Sequence, residues 1–159
     1  FTAWLARTGR APADAGARLR APRPDRHLPR VLTRVQVDAL LEGLTARAAT
    51  ADPVAVRDLA IVELLYASAL RVSELVGLDL SGLDAERRVV RVLGKGAKER
   101  VVPYGVPAAR AIDDYLRRGR PALLGDSPTP ALFLGARGGR LSTRAVYGVV
   151  AALLAEVPG

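Results

Sequence analysis

The sequence predicts an α+β domain that is mostly helical, with one small antiparallel β-sheet. Three observations carry this expectation. From Thr33 onward, most apolar residues recur at helical spacing, with start signals ahead of them. Two β-branched runs, 89–93 and 100–102, flank a Gly-Lys-Gly turn and read as a hairpin. The 159 residues are 50% hydrophobic, enough to build one core and to leave a scrap of a second domain.

Residues 1–7 (F-T-A-W-L-A-R) read as the last turns of a helix, ended by Gly9. Residues 11–32 are rich in proline, arginine and alanine and lack apolar periodicity, so they read as a basic linker, extended around Pro22, Pro24 and Pro29. Thr33 and Gln36 have capping-box spacing, and Val37, Leu40, Leu41 and Leu44 follow on one face. Asp52-Pro53 starts a second helix over 54–67. Its apolar residues run nearly all round, which predicts burial, and Ser68-Ala69 interrupts it. A short amphipathic helix with Leu70, Val72, Leu75 and Val76 comes next, then the hairpin. Residues 106–116 form a further helix with Ala109, Ile112 and Leu116 inward. Residues 117–130 read as a loop, 131–134 as a short strand and 135–140 (G-A-R-G-G-R) as a mobile basic turn. Ser142 or Thr143 caps the last helix, whose stripe is Val146, Val149, Val150, Leu153, Leu154 and Val157.

Composition narrows the function. The net charge of +8 and pI of about 10.9 favour an acidic partner, most commonly nucleic acid. The charge is uneven, since residues 1–34 hold eight arginines against two aspartates, a net +6. With no cysteine, disulfides and thiolate chemistry are excluded. With His27 alone, a histidine metal site or triad cannot be assembled from this chain. His27 reads as a surface residue of the linker. The chain begins at Phe1 and has no methionine, so it is expected to be a piece of a longer product.

The chemistry-bearing stretch is 70–103. Arg71 and Glu74 stand three residues apart at a helix start, beside the most buried helix, where an arginine is costly unless paired or offered to a ligand. Of 24 basic residues only Lys95 and Lys98 are lysines, and both lie in the hairpin turn. An arginine keeps its proton in a protein and a lysine can release one, so a proton donor is a candidate role for this turn. Chance in an arginine-biased composition is the alternative. A phosphate-cradling P-loop is excluded, because G-K-G-A-K lacks the required spacing and a strand follows it.

The segment Y-A-S-A-L-R-V-S-E-L-V-G-L, followed 24 residues after its arginine by the lysine of V-L-G-K-G-A-K-E-R-V-V-P, resembles the Xer-type tyrosine recombinases of the phage integrase family. L-P-R-V-L-T-R-V-Q-V-D-A-L-L and L-S-T-R-A-V-Y-G-V-V resemble flanking parts of that family's catalytic domain. The resemblance implies that 1–10 is the tail of an N-terminal helical core-binding domain, 11–32 a linker, and 33–159 a partial catalytic domain whose C-terminal part is missing. It implies site-specific breakage and rejoining of double-stranded DNA through a 3′-phosphotyrosyl intermediate, in a cytoplasmic tetrameric synapse, with no metal or cofactor and no membrane. Arg71 matches the first phosphate-binding arginine, Lys95 the lysine that protonates the leaving 5′ oxygen, and Glu74 the carboxylate that steadies Arg71. Lys98, Arg100 and Arg144 are the implied DNA contacts.

The family's second arginine, later histidines and nucleophile have no match here. None of Tyr66, Tyr104, Tyr115 or Tyr147 has the nucleophile's context, so the chain alone is expected to be inactive. Ala69 replaces the family's usual glycine. The residues leave two other readings open: a non-catalytic DNA-binding remnant, and a plain α+β domain with no specific DNA role.

Overall fold

In the computed structural model, which describes residues 1–20, 31–94, 98–126 and 128–157, the chain forms two units, Phe1–Val31 and Leu32–Gly159. In the first, helix α1 (Thr2–Arg7) ends as Gly9 turns to φ +69°. The Arg10 guanidinium stacks 5.1 Å over the Trp4 ring. The expectations for Pro22, Pro24, His27 and Pro29 lie outside the described residues.

In the second unit, α2 (Arg34–Ala48) opens with the capping box read from the sequence. The Gln36 N–H donates to the Thr33 hydroxyl at 3.3 Å, and the Thr33 N–H donates to the Gln36 side chain at 2.9 Å. Helix α3 (Pro53–Ser68) starts with the Val54 N–H donating to the Asp52 carboxylate at 3.0 Å. Val56, Ala60, Ile61 and Leu64 of α3 form the centre of the core. Burial is not all round, since Tyr66 is 56% exposed. It lines an open apolar groove with Leu40 and Leu41 of α2 and Leu153 and Leu154 of the last helix.

Ala69 terminates α3 at φ +48°, ψ +36°, in the left-handed region. This turn delivers Arg71 to the start of α4 (Val72–Gly77). A 3₁₀ turn, Leu80–Gly82, leads to a three-stranded antiparallel sheet, β1 (Leu83–Asp84), β2 (Val89–Leu93) and β3 (Glu99–Pro103), in that order. The hairpin is the one expected. Strand β1 was not anticipated, because two residues are too few to show an alternating pattern. In register, Val90 faces Val102, Val92 faces Arg100 and Leu93 faces Glu99. Val90, Val92 and Val102 are buried.

The helix expected to stop near 116 continues. Helix α5 (Val106–Asp114) passes through a π-helical turn, Tyr115–Gly119, into α6 (Arg120–Leu123). Pro121 lacks an N–H to donate back, and the wider turn accommodates it. The deepest inward residues are Ala108, Ile112 and Tyr115, while Ala109 and Leu116 are only half-buried.

Residues 131–134 are not a strand. They are fully buried and join the structure through isolated bridges, Asp79 to Ala131 and Leu134 to Arg140. Backbone bonds from Leu132 to Leu78 and from Leu141 to Phe133 are joined there by side-chain donors and acceptors. Buried Arg120 donates to the Thr129 and Ala131 carbonyls at 2.8 and 2.9 Å. Buried Arg57 donates to the Leu134 carbonyl at 3.1 Å, and the Leu134 N–H donates to the Tyr115 hydroxyl at 3.0 Å. The turn 135–140 is tied down at its last residue. Arg140 pairs with Asp79 and donates to the Val76 carbonyl at 2.9 Å and the Leu78 carbonyl at 3.2 Å, closing the C-terminal end of α4. Helix α7 (Thr143–Ala155) is capped by Ser142, and its stripe buries Val146 and Leu153. Among the described residues no helix is long and apolar enough to cross a membrane.

A side chain in the left-handed region carries a steric cost that glycine avoids. Ala69→Gly is expected to stabilise the chain by about 1 kcal/mol, net of the entropy glycine adds to the unfolded state. Denaturant unfolding checks this, and an unchanged or lower midpoint would show that Ala69 bears no strain.

Candidate functional site

Arg71 is the residue before the first turn of α4, with extended backbone at φ −69°, ψ 147°. Its side chain offers no acceptor, so it cannot cap the helix by itself. Glu74, at the third position, supplies the cap from the other side. Its Oε2 accepts the Arg71 backbone N–H at 2.8 Å, and its Oε1 accepts Arg71 Nη1 at 3.1 Å. A second arginine arrives from the sheet, with Arg100 Nη2 donating to Glu74 Oε2 at 2.8 Å. Three donors from two elements therefore converge on one carboxylate.

The exposures set the roles. The Glu74 side chain is 4% exposed, Arg100 43% and Arg71 72%. Glu74 is a shielded anion held by its partners, and Arg71 is a cation held at one edge and open on the other. Among the described residues, Arg71 Nε and Nη2 have no partner. A planar guanidinium fixed along one edge presents its remaining donors as a preset fork for an oxyanion. The Glu74 carboxyl is held below the ordinary glutamate range, first by the Arg71 backbone N–H and further by both guanidinium groups, against the opposing effect of burial. It stays ionised and keeps its grip on Arg71.

The groove beside Glu74, of about 260 Å³, is lined by Ser73, Asp79, Arg91 and Glu99 among others, and not by Arg71. With three carboxylates to one guanidinium it is a poor seat for an anion. The open face of Arg71 is the better one.

The expected site residues fall into four groups. Arg71 and Glu74 meet as the sequence predicts. Arg100, expected to contact DNA, is committed to Glu74 on one edge. Lys98 and Arg144 are exposed, with no ion pair among the described residues. Lys98 ends the hairpin tip, where its carbonyl accepts the Gly94 N–H at 2.8 Å. Arg144 lies in the first turn of α7, four residues after Arg140, which is anchored at the C-terminal end of α4. Arg71 marks the other end of α4, about 9 Å along the helix. Lys95 lies outside the described residues. Of the four tyrosines, Tyr104 and Tyr115 are buried, while Tyr66 and Tyr147 are exposed.

Sequence reasoning missed the Arg100–Glu74 pair and the buried arginines Arg57 and Arg120. Strand alternation held a signal for the first, because Arg100 shares a face with Val102. For Arg120, nothing in the sequence marked a buried position.

Glu74→Gln is expected to destabilise the chain by about 1–2 kcal/mol, because three donors lose a charged acceptor. The cost stays below that of a fully buried broken pair, since both arginines can turn to water. A lowered folded-state pKa means that Glu74 adds stability above the ordinary glutamate range and loses it as pH falls through the lowered value. The gap between parent and variant, measured by denaturant unfolding, should therefore shrink in acid. A gap independent of pH would remove the charge-based account.

Residues 30–157 match the sequence model of the phage integrase family. Tyrosine recombinase XerC of Mycobacterium leprae is 48% identical over 159 residues, covering 100% of this chain and 54% of that protein. Tyrosine recombinase XerC of Mycobacterium sp. (strain KMS) is 47% identical, with 53% of its length covered. The chain thus spans about half the length of these relatives. Among solved structures, XerA recombinase superposes with a TM-score of 0.67 at 25% identity, over 80% of this chain and 43% of that one. The pre-cleavage complex of XerH site-specific recombinase with difH substrate gives a TM-score of 0.63 at 18% identity, over 80% of this chain and 36% of that one.

Proposed function

The chain belongs to the phage integrase family, and from that premise we propose that it forms the phosphate-binding part of a site-specific tyrosine recombinase acting on double-stranded DNA. The observation that carries the reading is the Arg71 fork, fixed at one edge by Glu74 and open at the other. In strand cleavage, charge grows on the non-bridging oxygens of the scissile phosphate. A guanidinium already held in place stabilises that charge without reorganising during the reaction.

Lys95, in the hairpin turn, serves as the general acid for the leaving 5′ oxygen, since a lysine can give up a proton that an arginine keeps. Lys98 and Arg144 contact the DNA backbone. The attacking tyrosine forms a 3′-phosphotyrosyl link, and none of the four tyrosines here takes that role. Chromosome dimer resolution, plasmid resolution and integration of mobile elements can all use this core. The protein works in the cytoplasm, in a tetrameric synapse on DNA.

Duplex-DNA binding by this chain is expected to weaken steeply with salt, with a log–log slope of about −0.9 per neutralised phosphate. Arg71→Ala should make the slope shallower by about 0.9. A flat salt response in the parent chain would sink the proposal. In a recombinase that carries this chain, Lys95→Arg is expected to keep DNA binding and to lose about 10²-fold or more in cleavage rate. Unchanged cleavage would remove Lys95 from the general-acid role.

A further inference from the structure

Arg100 is the last core-side residue of β3 before the hairpin tip. Its partner across the sheet is Val92, and the next pair, Leu93 with Glu99, closes the ladder. Strand alternation puts Arg100 on the same face as Val102, which packs into the core. From there its guanidinium reaches Glu74 on α4 at 2.8 Å. Among the described residues this is the only ion pair between the sheet and α4. Glu74 Oε2 is also the oxygen that accepts the Arg71 backbone N–H. One carboxylate thus ties the tip end of the hairpin to the residue that presents the phosphate fork.

We propose that Arg100 is a positioning residue which acts through Glu74, setting the tip end of the hairpin against Arg71, instead of a residue that binds a DNA phosphate. The proposal rests on the recombinase reading above. Arg100 is less exposed than Arg71, 43% against 72%, and leaves less of its guanidinium open to a phosphate. Here its charge is already engaged by a carboxylate that is 4% exposed. The arrangement predicts that the Arg71 side chain senses the loss of Arg100 through Glu74, their shared partner among the described residues.

The test uses the 159-residue chain in its parent form and as Arg100→Met and Arg100→Lys. In the DNA-free chain, NMR follows the titration of the Glu74 carboxyl carbon and the Arg71 Nε–H resonance. The charged groups facing Glu74 are Arg71 from its own helix and Arg100 from β3, with Asp79, Arg91 and Glu99 in the adjoining groove. Arg100→Met is expected to raise the Glu74 midpoint and to shift the Arg71 resonance. Arg100→Lys should restore part of both, because it keeps the charge without the fork. Unmoved Glu74 and Arg71 signals in Arg100→Met overturn the proposal.

Duplex-DNA titrations then separate positioning from contact. A positioning residue costs roughly tenfold in affinity at an unchanged salt slope. A phosphate contact makes the slope shallower by about 0.9 and also overturns the proposal. If Arg100→Met fails to fold, Arg100→Lys gives the same two readouts with smaller shifts. A parent chain without salt-dependent duplex binding sinks the recombinase reading instead, and the NMR arm still decides whether Arg100 acts on Arg71 through Glu74.

Discussion

The Glu74 carboxylate is the constraint on which the site depends. A shielded anion is costly unless every lone pair that faces protein has a donor, and Glu74 meets three. Those donors belong to the start of α4 and to β3, so satisfying one charge fixes two elements at once. The Arg71 backbone must be extended for its N–H to reach back to Glu74, and the left-handed turn at Ala69 is what sends the chain there from α3. Arg71 is left tethered but mostly exposed. A residue meant only to neutralise Glu74 would be expected to be covered like its partner.

The interior arginines show a second use of the same side chain. Arg57 and Arg120 supply backbone hydrogen bonds to 129–134, a stretch that has only isolated bridges in place of a strand ladder. Arg140 does the same for the C-terminal end of α4. A guanidinium carries five donors, so one side chain can satisfy several carbonyls that no strand is present to pair. These contacts fix where 131–141 runs, and hence where α7 and Arg144 begin. They also temper the inference from charge, because part of the arginine excess serves the fold and not an external anion. Burial raises the Asp58 carboxyl above its ordinary range, an effect that outweighs its neighbour Arg57, so even the interior ion pair is not cost-free.

Local chemistry made much of this readable in one dimension. The capping box at Thr33 and Gln36, the Asp52-Pro53 start, the hairpin 89–103 and the Arg71–Glu74 pair all depend on residues within a few positions of each other or on strand alternation. The misreadings have a common cause. The helix through 106–123 was cut short because Gly119 and Pro121 signal a break, but a π-turn absorbs both. The stretch 131–134 looked like a strand because it is apolar, yet it makes only isolated backbone bridges and takes the rest of its hydrogen bonds from side chains of α3, α6 and the π-turn.

From the order of residues alone came the helical α+β character, the basic charge, the arginine–carboxylate pair and the lysine pair of the turn, since each is a matter of periodicity, composition or short spacing. The three-dimensional arrangement settled which charges are already engaged. Arg100 stands 26 positions from Glu74, and Arg57 stands 77 from Leu134. No periodic pattern reports contacts at such separations. They form because burying Val90, Val92, Val102 and the face of α3 brings distant backbone together, and each polar group trapped at that boundary must find a partner within hydrogen-bond reach.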